Sequence, residues 1–90
     1  MTFYLQYDDS VPADLVNGKR IKKAISSELS RLKLKFNKVC LTIEDFKTFS
    51  VKITAQNDFE QFEYECEDEC LKKAIDKCIK GFIENCSSPV

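Results

Sequence analysis

Hydrophobic and polar residues along this chain repeat with a period of two in four places and with helical spacing in two. Residues 2 to 7, TFYLQY, alternate Phe3, Leu5 and Tyr7 with Thr2, Tyr4 and Gln6, the period of a half-buried strand. The run DDSVPADLVNG that follows carries turn-forming residues. From there Ile21, Ala24, Ile25, Leu29, Leu32 and Phe36 recur at spacings of three and four, which predicts a helix with one apolar stripe and its lysines facing away. Glu28 falls close to that stripe, where a carboxylate must either reach water or find a basic partner.

After Phe36 the period returns to two. Val39, Leu41 and Ile43 share one face of a predicted strand, with Cys40, Thr42 and Glu44 on the other. DFKT breaks the pattern before Phe49, Val51 and Ile53 resume it, and QND at residues 56 to 58 is the next turn signal. Phe62, Tyr64 and Cys66 then form the inward face of a further strand, with Glu63 and Glu65 outward. The closing stretch places Leu71, Ala74, Ile75, Cys78, Ile79, Phe82 and Cys86 on one side of a helix that starts behind a cluster of acids. Gly81 weakens this helix without stopping it, and Ser87, Ser88 and Pro89 end it.

The predicted order is therefore β-α-β-β-β-α, an α+β fold of two layers with both helices on one face of a mainly antiparallel sheet. Ninety residues suffice for one compact domain, residues 1 to 90, with 87 to 90 expected to be flexible. A composition of 43% hydrophobic and 32% charged residues fits a globular chain rather than a disordered one. No apolar run approaches the roughly 20 residues needed to cross a bilayer, and MTFYLQYDDS lacks the basic and apolar segments of a signal peptide. The five cysteines, an odd number, read as free thiols of a cytoplasmic or other reducing compartment.

Chemistry for catalysis is sparse. The chain has no histidine, so the commonest base at neutral pH is missing. Asp8 and Asp9 are adjacent and read as turn residues, while Glu65, Glu67, Asp68 and Glu69 read as a strand end and helix entrance. Cys66, Cys70, Cys78 and Cys86 lack the tight knuckle spacing of a structural zinc site; Cys78 and Cys86 suit buried positions, and Cys40 is the cysteine expected to be exposed. Gly18 and Gly81 form no phosphate-cradling loop. No catalytic residue, metal ligand or cofactor is expected.

Charge is distributed more tellingly than its total suggests. Residues 19 to 38 hold eight basic residues and one acid in a chain of formal net charge -1. Lys19, Lys22, Lys23, Arg31, Lys33, Lys35 and Lys38 lie on or just beyond the first helix, and Lys73, Lys77 and Lys80 form an outward row on the last. Side by side, the two helices join these into a surface able to bind phosphate, so structured RNA is the expected partner. The same lysines also serve to keep helix faces hydrated, and the open sheet face offers an alternative role as a protein-binding adaptor or homodimer surface. Tyr4, Phe46 and Phe59 are the aromatics expected outside the core, and none belongs to a single-strand RNA motif.

TFYLQY, KRIKKAISSELSRLKLKFNKVCLTI and FEYECEDECLKKAIDKCIKGFIENC resemble, in order and pattern, the short ribosome-hibernation and ribosome-associated inhibitor family. Double-stranded-RNA-binding domains are similar in their helix, three-strand and helix core. The resemblance implies a non-enzymatic factor that uses basic helix faces to bind ribosomal RNA, in some members within the decoding channel of the small subunit. It assigns that role to Lys22, Lys23, Arg31, Lys33, Lys73, Lys77 and Lys80. Glu63, Glu65, Glu67, Asp68 and Glu69 make this chain more acidic than that pattern.

Overall fold

The computed structural model of the chain describes residues 2–12 and 16–87. Six elements follow in the expected order: β1 (Thr2–Tyr7), α1 (Gly18–Arg31), β2 (Lys38–Phe46), β3 (Thr48–Gln56), β4 (Gln61–Asp68) and α2 (Leu71–Ser87). The sheet runs β1-β2-β3-β4, with β1 parallel to β2 and the other two pairs antiparallel. A parallel pair cannot be closed by a hairpin, and α1 provides the crossover between β1 and β2.

Register carries the predicted alternation across all four strands. Leu5, Leu41, Ile53 and Tyr64 form one row, and Phe3, Val39, Ala55 and Phe62 the next. These rows face the helices. Val39, Leu41, Ile43, Val51, Ile53 and Ala55 are fully buried beneath Ile25 of α1 and Ala74, Cys78 and Phe82 of α2. Phe36, from the segment between α1 and β2, packs edge-on to Phe62 at 5.7 Å between ring centroids and meets Phe82 at 6.2 Å. It joins the α1–β2 connection to the α2–β4 side of the core.

Local chemistry explains the ends of α1. Asn17 caps its start, accepting a hydrogen bond from the Arg20 backbone N–H at 3.1 Å. The apolar stripe predicts a helix reaching Phe36, yet α1 stops at Arg31. Lys33 takes a left-handed conformation, φ 59°, and its N–H reaches the Ser30 carbonyl while Leu34 N–H reaches that of Leu29. This double bond pattern is a Schellman cap, formed here around lysine instead of glycine. The chain reverses again at Lys47, φ 67°, so the expected DFKT break contracts to a single residue between β2 and β3. At the next turn the Asn57 side chain accepts from the N–H groups of Phe59 and Glu60, and Asn37 donates to Asp58 at 2.8 Å.

α2 runs unbroken through Gly81. A side chain there would collide with the ring of Tyr64 on β4, so the glycine permits close approach of helix to sheet. The expected turn over residues 8 to 18 has its middle, 13–15, outside the described residues; its start is a turn closed by Val11 N–H to Asp8 carbonyl at 3.0 Å. Of the tail expected to be flexible, Ser87 closes α2 and 88–90 lie outside the described residues.

Candidate nucleic-acid interface

The two helices cover one face of the sheet and present their outer surfaces together. α1 carries Lys19, Arg20, Lys22, Lys23 and Arg31 against a single acid, Glu28. α2 contributes Lys72, Lys73, Lys77 and Lys80 against Asp76 and Glu84. The opposite face of the sheet has the reverse bias: β4 points Glu63, Glu65 and Glu67 away from the helices, with Lys52 of β3 paired to Glu63 at 3.2 Å. Charge is thus separated between the layers.

Not every predicted cation is equally placed. Lys19, Lys22, Lys23, Lys73 and Lys80 are exposed and make no ion pair among the described residues. Arg31 binds Glu28 through Nε and Nη2, the latter at 2.7 Å, so Glu28, whose side chain also reaches water, has found a basic partner. Lys77 donates to Asp68 at 2.6 Å, and the other oxygen of Asp68 accepts from the Cys70 N–H at 2.8 Å, at the threshold of α2. That hydrogen bond from Lys77, then the Cys70 N–H, hold the Asp68 carboxyl below its ordinary pKa, and the same contact raises that of Lys77. Arg31 and Lys77 are therefore tied to the protein's own carboxylates. Lys33 and Lys35 lie beyond α1 in the connection to β2, both exposed.

The placement of cations at the start of α1 is informative. Its first turn contains no acid, and Lys19, Arg20, Lys22 and Lys23 crowd the end at which the helix dipole is already positive. Lys19 and Arg20, in the first turn, oppose helix stability by roughly 0.3–1 kcal/mol each at low salt, and Lys22 and Lys23 follow on the next turn, so mere hydration of a helix face does not account for the cluster. Dipole and side chains add to one positive potential, which suits an anionic ligand.

Between α1 and α2 runs a groove that the sequence did not foretell. Ala24, expected on the buried stripe, is exposed and lines this groove with Ile75, Ile79 and Ile83. Two adjoining cavities of about 90 and 480 Å³ share Ala24, Asp76 and Ile79. Arg20 and Lys72 stand at the narrower one, and Lys80, Arg31, Glu28 and Glu84 at the wider. Arg20 and Lys72 were missing from the basic set drawn from the sequence. Their signal was present: Arg20 precedes Ala24 by one helical turn, as Lys72 precedes Asp76.

The cysteines require one correction. Cys40 is half-buried, flanked on the open face by Tyr4 and Thr54 in register, and Cys70 is the exposed thiol. Cys78 is buried and donates to the Val51 carbonyl at 3.2 Å; burial, reinforced by Cys66, pushes its pKa to about 12. Burial raises Cys86 to about 11. Tyr4, Phe46 and Phe59 are exposed as expected, Phe59 at 93%, and Lys38 lies over the Tyr4 ring at 5.1 Å. No described helix is long and apolar enough to cross a membrane.

No family model matches the chain, and no curated protein matches it in sequence. Solved structures do match. The N-terminal domain of Protein Y from Thermus thermophilus superposes with a TM-score of 0.65 at 16% identity, covering 97% of each chain. A ribosomal subunit interface protein from Coxiella burnetii superposes at 0.68 with 12% identity, over 94% of this chain and 92% of its own. The likeness is one of fold. It spans the whole order of elements, and at this level the resemblance drawn from the sequence is met.

Proposed function

We propose that this chain is a non-catalytic factor that binds structured RNA, ribosomal RNA in particular, through the cationic outer surface of α1 and α2. The cations gathered at the start of α1 carry this reading, because they stand where helix stability disfavours them and phosphate binding rewards them. Lys19, Lys22, Lys23, Lys73 and Lys80 are the principal phosphate contacts, with Lys33 and Lys35 extending the surface and Arg31 and Lys77 contributing beside their carboxylate partners. Residues 1 to 90 act as one binding unit in a reducing, cytoplasmic setting. The fold shared with a protein described as a ribosomal subunit interface protein makes the ribosome the partner to try first.

The adaptor reading has weaker support. Its surface, the open sheet face, displays Thr42, Ser50, Lys52 and Glu65 around a shallow polar depression, which lacks the apolar core of a stable protein interface.

The deciding measurement is equilibrium binding to purified ribosomal subunits and to an unrelated structured RNA across a salt series. Saturable binding to a subunit that persists near physiological salt and exceeds binding to the unrelated RNA is expected. Absence of binding to either RNA at low salt overturns the proposal and turns the search to protein partners.

A further inference from the structure

The groove between α1 and α2 combines three features that a surface meant only for phosphates does not need. Its floor is apolar, built from Ala24, Ile75 and Ile79. Arg20 and Lys72 stand at one end; at the other Lys80 stands beside Glu84 and the Arg31–Glu28 ion pair, with Lys72 and Lys80 about 12 Å apart along the helix axis. A carboxylate, Asp76, sits in the middle, on the same helix between the two lysines. Asp76 makes no ion pair or side-chain hydrogen bond among the described residues.

A phosphate in mid-groove meets repulsion from Asp76. A nucleobase does not. An ionised carboxylate only accepts hydrogen bonds, and its two oxygens match two adjacent N–H donors. Among the bases, guanine offers such a pair on its Watson–Crick edge. The apolar floor suits the face of the ring, the Arg20 guanidinium has a plane on which a base can stack, and the terminal lysines suit the phosphates on either side.

We infer that this groove receives an unpaired guanine extruded from a structured RNA, with Asp76 accepting from its Watson–Crick N–H groups, Arg20 stacking on the base, and Lys72 and Lys80 holding the flanking phosphates. The inference rests on the RNA-binding reading above and adds to it the source of selectivity. Lysines at the rim set affinity without regard to sequence, and Asp76 selects the base.

The test uses the full chain and RNA hairpins identical except for one loop nucleotide, which is guanine, inosine, adenine, cytosine or uracil. Inosine lacks the guanine amino group. The wild-type chain should favour guanine over the others by roughly 5- to 100-fold. Asp76→Asn should level the series while preserving the salt dependence, and Ala24→Phe, which fills the floor, should do the same. Because Asp76 and Ala24 are exposed, both variants should keep the wild-type circular dichroism spectrum. Binding without loop discrimination overturns the inference and leaves RNA binding intact. Uniformly tighter binding by Asp76→Asn also overturns it, since that is the effect of a carboxylate that only repels phosphate. Failure of the wild-type chain to bind any hairpin or ribosomal subunit instead overturns the RNA-binding reading itself.

Discussion

The helix layer and the open sheet face are both charged and both wet, yet their charges follow different rules. On β3 and β4, Lys52 stands in register beside Glu65 and bonds Glu63 on the diagonal, a local compensation typical of a solvated sheet. On α1, four cations gather within six residues at the helix end least suited to them. Charge on the sheet is organised by its neighbours, whereas charge at the start of α1 is organised against them. An arrangement that costs helix stability points to a ligand outside the chain.

The largest expected effect separates the two faces directly. Replacing Lys22, Lys23, Lys73 and Lys80 by glutamine should weaken RNA binding on the order of 100-fold at physiological salt and lower the salt slope by about one for each true phosphate contact. The matching change of Glu63, Glu65 and Glu67 to glutamine should leave binding equal or tighter. Equal losses from both sets, read by the same titration, break the distinction between the faces.

A second comparison sets the interior shared by the layers against their rim. Phe82→Ala should cost about 3–5 kcal/mol, because the ring is fully buried against Phe36 and leaves a cavity. Phe59→Ala, at a turn and 93% exposed, should change stability by less than about 0.5 kcal/mol. Chemical denaturation measures both.

Thiol chemistry then probes how tightly the helices are seated. With a thiol reagent at pH 8, exposed Cys70 should react first. Cys78, with a pKa pushed to about 12, has about one thiolate in ten thousand at that pH and should react only as fast as the chain opens. Rapid modification of Cys78 in the native protein breaks the picture of a helix layer fixed to the sheet.

The smallest effect concerns pH. Asp68 titrates below its unfolded value, so its pair with Lys77 stabilises the fold above about pH 3.9, and that contribution is lost as pH falls through the lowered pKa. Lys77 titrates above its unfolded value of about 10.4; its share is complete below that pH and lost as pH rises through the folded pKa. Asp68→Asn should flatten the acid limb of a Tm-against-pH curve.

Much of the fold was legible because strand and helix periods differ so plainly here. The stripe Ile21, Ile25, Leu29 and the alternation Val39, Leu41, Ile43 lie where the pattern places them. The end of α1 was hidden, because Leu32 and Phe36 continue the helical spacing after the chain has turned at Lys33, a residue type that gives no sign of a left-handed cap. Pairing was hidden for a different reason. Lys77 and Asp68 lie nine residues apart across a strand-to-helix junction, so only the three-dimensional turn reveals that this lysine is occupied. The groove stayed invisible because a stripe reports which residues leave water, not how far apart two helices come to rest. Ala24 is too small to close the space, and no periodicity encodes that gap.

Gly81 also constrains the history available to this chain. Tyr64 occupies the space that any side chain at position 81 would need. A residue gained at 81 requires the Tyr64 ring to swing aside or position 64 to become smaller, so the two positions change together. Each position thus determines which substitutions the other can accept.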